Sequence, residues 1–296
     1  MRKVALILAV AALALLSISC NQLRARDQLN KGVQAFTNAQ YPEAVEHFKT
    51  ACVLDPGLAA ARLYLATAYM QQYIPGAESP ENNKMAQAAL DNFLKVLEQE
   101  PKNALAMASI ASLKLNQKKW DEAEQWFQKV VSVEPNNADA YYSMGFIAWS
   151  KWYPAYGTAR ANLGMRQEDP GPIKDKKVKE ELKAKWGPVI DSGLQALDKA
   201  LQINPEYADA MAYENLLVRE RADLADSKDE YDKQLKIADG WWTRLSRRRR
   251  FLPKRRTRPA AESPWTTQSN AALRGCKSWK AGPQGPAFFI DRALPK

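Results

Sequence analysis

The chain has 296 residues, 46% hydrophobic and 26% charged, with a formal net charge of +10. That composition is globular, leaves room for one or two domains, and excludes a low-complexity or wholly disordered chain. The charge is unevenly placed: residues 241–296 hold 14 Lys+Arg against Glu262 and Asp291, a net +12, so residues 1–240 carry −2 of the total. The body is no polycation, and nucleic acid is not its expected partner.

At the amino end Arg2 and Lys3 precede fifteen uncharged residues, VALILAVAALALLSI (Val4 to Ile18), and then Ser19 and Cys20. As a helix that run rises about 22 Å, short of a hydrocarbon core of about 30 Å, which suits a secretory segment better than a permanent span. Leu16, Ser17, Ile18 and Ser19 before Cys20 resemble a bacterial lipobox, with serine where leucine is usual. The resemblance implies cleavage before Cys20 and a diacylglycerol on its sulfur, so that several acyl chains anchor the mature protein, as stable attachment requires. An ordinary cleaved signal with a bystander cysteine is the alternative. The expected segments are a signal peptide over 1–19 and a lipidated linker over 20–24. Asn21 is not the aspartate that holds some lipoproteins at the inner membrane, so the expectation is an envelope lipoprotein facing the periplasm, at the outer membrane by preference. The three cysteines offer neither a disulfide framework nor metal-ligand spacing.

From residue 25 onward the sequence repeats itself. GVQAFTNAQYPEAVEHFKTACVLDP (from Gly32) matches ASLKLNQKKWDEAEQWFQKVVSVEP (from Ala111) column by column. Pro56, Pro101, Pro135 and Pro205 fall at spacings of 45, 34 and 70. Gly32, Ala66, Ala111 and Gly145 form one small column; Ala44, Ala89, Ala123 and Gly193 form another. Phe48, Phe93, Phe127 and Leu197 supply bulk, and Ala51, Val96, Val130 and Ala200 a further narrow column. Small residues let two helices approach, bulk fills the space beside the crossing, and proline ends the second helix. The pattern resembles the tetratricopeptide repeat. It implies an all-α solenoid of helix-turn-helix units at 25–58, 59–103, 104–137 and 138–207, with a degenerate closing pair at 208–245. One insertion is expected in Tyr73–Met85, and another after Trp152, followed by one long second helix that Gly187-Pro188 disturbs.

In that family the first helix of each unit lines a concave groove. The corresponding positions here include Leu29, Val33, Phe36, Leu63, Met70, Leu115, Tyr142, Phe146, Trp149 and Arg219. The resemblance therefore implies an apolar, aromatic groove for an apolar peptide or an amphipathic helix of another protein. Relatives that clamp a carboxyl terminus use lysine and asparagine where this chain has Leu29 and Val33, so that specificity is not expected. Phe36 and Met70 read equally as packing residues, whereas Tyr142 and Trp149 are expected in the groove.

His47 is the single histidine, on the surface of a second helix, and no nucleophile motif, phosphate loop or metal cluster accompanies it. The expectation is a scaffold or assembly accessory, no enzyme, with no cofactor. From 246 to 296 a basic tail is expected to be disordered; arginine there would attract anionic lipid, cell-wall polymer or nucleic acid, the alternative function. The abrupt change of composition after Gly240 also fits translation out of frame, or a solvated tail without function.

Overall fold

Helices form where the small and bulky columns alternate. The computed structural model describes residues 2–166 and 169–251, for 2–19 and 248–251 the backbone alone; among these residues there are ten helices and no strand. They are α1 (Arg2–Thr37), α2 (Tyr41–Leu54), α3 (Ala59–Gln72), α4 (Pro80–Gln99), α5 (Ala104–Asn116), α6 (Trp120–Val133), α7 (Ala138–Asn162), α8 (Lys176–Ile203), α9 (Ala208–Ala222) and α10 (Lys228–Phe251). The fold class is the all-α, solenoid-type stack of helix hairpins. Two compact units divide the chain, residues 1–119 and 120–296.

In the first unit α1 pairs with α2 and α3 with α4, while α2–α3 and α4–α5 contacts join successive hairpins. The columns meet as their sizes require. A Cβ added to Gly32 would stand 2.5 Å from the Phe48 ring, so the aromatic of α2 fills the space that glycine leaves on α1. Asp55 and Glu100, each before a proline, are bent out of helical geometry, and their N–H groups donate to Ala51 O (2.9 Å) and Val96 O (2.7 Å) of the narrow column. The insertion at Tyr73–Ser79 is pinned by buried Asn82. Its Oδ1 accepts from Ile74 N–H (2.7 Å), and its Nδ2 donates to Ile74 O (2.9 Å) and Ala77 O (2.8 Å).

In the second unit α6 packs on α7, α7 pairs with α8, α9 packs on both, and α10 pairs with α9. A Cβ on Gly145 would overlap the Leu197 side chain, and one on Gly193 would stand 2.6 Å from Ala148 Cβ. The α7–α8 crossing thus repeats the α1–α2 device with leucine in place of phenylalanine.

Three expectations change. The sequence after Trp152 is mostly no loop: α7 continues through Pro154 to Asn162, and α8 runs unbroken through Gly187-Pro188, where the proline lies on the exposed side. A proline is tolerated where solvent can satisfy the carbonyl it frees. No separate linker occupies 20–24, because α1 runs through Cys20 into the first repeat helix. Residues 246–251, expected in the tail, continue α10; the tail from 252 to 296 lies outside the described residues. Among the described residues no helix is long and apolar enough to cross a membrane.

Candidate protein-interaction surface

The aromatic residues of α7 recur at positions 142, 146, 149, 153 and 156, alternating steps of four and three that place them on one stripe. Asn137 starts the helix by accepting from Ala140 N–H at 2.9 Å, and so fixes which way the stripe points. α9 lays Tyr207 and Tyr213 against its first half. Ring centroids lie 5.0 Å apart for Tyr142–Tyr207, 5.9 Å for Tyr142–Tyr213 and 5.3 Å for both Phe146–Tyr213 and Trp149–Tyr213. Edge-on and tilted contacts at such distances are the favourable ones for aromatic quadrupoles. Tyr142, Phe146, Tyr207 and Tyr213 are consequently buried. The stripe emerges at its second half: Trp149 and Tyr153, stacked at 4.8 Å, are both half-buried.

Beneath that pair lies a buried polar cluster. Trp149 Nε1 donates to Glu220 Oε1 at 3.0 Å, and the buried Trp152 indole N–H faces the same carboxylate without a well-formed hydrogen bond. Burial pushes the Glu220 carboxyl up to about 8 against the opposing Trp149 hydrogen bond; Glu214 on the same helix is also pushed up to about 8, by burial and by Asp198. Arg160, near the end of α7, forms a buried ion pair with Asp223 just past α9. Tyr156 also donates to that carboxylate at 2.7 Å. Arg160 Nη2 donates to Arg166 O (2.7 Å) and Asp169 O (2.6 Å), so one guanidinium ties the α7–α8 connection to α9. Gly171 N–H donates to the Tyr231 hydroxyl at 3.0 Å and Ile173 N–H to Asp223 O at 2.9 Å. A side chain at Gly171 would overlap Asp223, so the close approach needs glycine.

A family model described as "Tetratricopeptide repeat" matches residues 83–145. Residues 83–145 carry the tetratricopeptide repeat. Among curated proteins, mitochondrial import receptor subunit TOM70 of Rattus norvegicus is 22% identical over 196 residues, and that of Homo sapiens 22% over 199. The matches span 66% and 67% of this chain but only 26% of either receptor. Among solved structures, a MamA protein gives a TM-score of 0.53 at 16% identity, covering 78% of this chain and 96% of that one. MamA from Desulfovibrio magneticus RS-1 gives 0.52 at 17%, covering 77% and 96%. These structures share the fold. What the chain is similar to is a repeat family and a receptor subunit, with no family of catalysts among these matches.

Within the repeats, the residues expected to line a groove separate into three kinds. In the first unit Phe36 is buried edge-on against Tyr41 at 5.3 Å and Met70 is buried, whereas Leu29, Val33, Leu63 and Leu115 are half-buried. In the second, Tyr142 and Phe146 face α9 rather than solvent, whereas Trp149 and Arg219 keep an open side. Arg219 pairs with Asp239 of α10 and with Asn215 Oδ1 (3.3 Å). His47 stands 2.8 Å from Gln28 Oε1, where it joins α2 to α1. Among the described residues no group of His, Cys, Asp and Glu is placed to hold a metal ion. Tyr153, Tyr207, Tyr213 and Glu220 were not singled out by the sequence. A signal for Tyr207 and Tyr213 existed in the Ala-Asp-Ala that opens α9 as it opens α7.

Proposed function

We propose that this chain is an exported, lipid-anchored tetratricopeptide-repeat protein that holds segments of other proteins at a bacterial envelope, as a scaffold or assembly accessory. The observation that carries the binding role is the Trp149–Tyr153 pair: two stacked aromatic rings, half-buried, on a support made rigid by Tyr213 and Glu220. Rigid aromatic side chains give large contact area at little entropic cost, which is what a binding hot spot needs. An apolar segment of a partner, extended or helical, is the occupant such a ledge accepts. The anchor is Cys20, exposed on α1 and preceded by the lipobox-like LSIS. The receptor likeness to TOM70 and the repeat fold support a binding rather than a catalytic role.

The test is photo-crosslinking in the native cell with a benzophenone residue at Tyr153 or, on the exposed side of α6, at Gln128. Adducts specific to position 153, weakened by Trp149→Phe, are the expected result. Equal labelling from both positions, or none from 153, would overturn the ledge as the binding surface.

A further inference from the structure

Five residues after Cys20, Ala25 is already fully buried in the first unit, and α1 is helical throughout that interval. Along a helix five residues advance only about 8 Å. An acyl-bearing Cys20 therefore has no slack: whatever holds its lipid also touches the first unit. The same end of the unit carries the most exposed large apolar side chains among the described residues, Leu23 (72% exposed) and Val53 (79%). They share that end because α1 stops at Thr37, α2 starts at Tyr41 and the two helices pack on each other, so they run antiparallel and the start of α1 lies level with the end of α2. Leu23 follows Cys20 by three residues, on the same helix face. Arg24 and Arg26, one and three residues further on, are both exposed. The acids nearby are already engaged: Asp27 pairs with Lys31 at 2.8 Å, and Asp55 accepts from Gly57 N–H at 3.1 Å.

We propose that this end of the α1–α2 hairpin docks directly on an anionic bilayer, with Leu23 and Val53 entering the headgroup boundary and Arg24 and Arg26 meeting lipid phosphates. The inference rests on the reading of Cys20 as the lipid anchor and adds to it a fixed contact: the first unit lies on the membrane instead of swinging from a tether. Exposed apolar side chains and exposed arginines at one end of a hairpin are complementary to an interface that is apolar within and anionic at its surface. A partner protein would not explain why these side chains lie at the anchor's end of the hairpin.

The experiment uses the acylated full chain in vesicles of phosphatidylethanolamine and phosphatidylglycerol, with Cys52 and Cys276 replaced by serine. A nitroxide is placed in turn at Leu23→Cys, Val53→Cys and, at the opposite end of the hairpin, Asn38→Cys. Collision rates with oxygen, which partitions into lipid, are compared with those of a water-soluble nickel chelate, and mass spectrometry of the amino-terminal peptide records acylation at Cys20. The expected result is a ratio favouring oxygen several-fold at 23 and 53 over 38, reduced when Arg24 and Arg26 are changed to glutamate. Acylated protein whose three labels all report water overturns the docking and leaves the anchor standing. Protein bearing no acyl group at Cys20 overturns the anchor, and the docking with it.

Discussion

A methyl group at position 145 has nowhere to go, because Leu197 occupies the place where it would project. Gly145→Ala should therefore cost about 1–3 kcal/mol through overpacking. Gly157→Ala, on the same helix with no atom within 4 Å of the new carbon, should gain about 0.5–1 kcal/mol. Chemical denaturation of the two variants checks the pair; similar shifts for both would refute the crossing. The sequence showed this steric column without help, since small residues recur opposite bulky ones. It could not show the acids buried on α9. Glu214 and Glu220 are pushed up to about 8 from 4.5, so folding takes up protons between those values. Their neutral forms stabilise the fold below about pH 4.5, and that contribution is lost as pH rises toward 8, by at most about 1.4 kcal/mol per pH unit for each group. The melting temperature should fall from pH 5 to pH 8, and Glu214→Gln with Glu220→Gln should flatten the fall. A wild-type melting temperature that rises over this window would contradict it.

Helix α9 shows why element-level reading stopped short. Its alanine and proline columns fade, which reads as a degenerate cap, yet residues on most of its circumference are buried between α7, α8 and α10. Burial of that extent is a tertiary property: Glu214, Asn215 and Glu220 look like solvent-facing residues until three helices surround them. The connection between α7 and α8 was hidden for the same reason, since Arg160 and Asp223 stand 63 residues apart in sequence. Asp223→Asn should leave Arg160 buried without its counter-charge, costing about 3–5 kcal/mol. It should also speed amide exchange at Gly171 and Ile173, which are held by Tyr231 and by the Asp223 carbonyl. Hydrogen exchange read by mass spectrometry would show it; unchanged protection there would mean the loop holds without the ion pair.

For the molecule, repeat architecture was legible from residue 25 to residue 245, because small residues recur opposite bulky ones, as they meet at the α1–α2 and α7–α8 crossings. The proposed binding surface was legible only in part. Periodicity places Tyr142, Phe146 and Trp149 on one stripe but cannot tell which of them another helix covers; Tyr213 decides that by burying the first two. On that stripe the Trp149–Tyr153 ledge stays partly exposed, and the most direct measurement of its proposed role is partner recovery from native membranes with Tyr153→Ala, alongside circular dichroism of the same protein. Loss of at least about tenfold in recovered partner, the effect of removing a hot-spot side chain worth about 1.4 kcal/mol or more, with helicity unchanged, is the predicted result. Full recovery, or helicity lost in proportion to binding, would contradict the account.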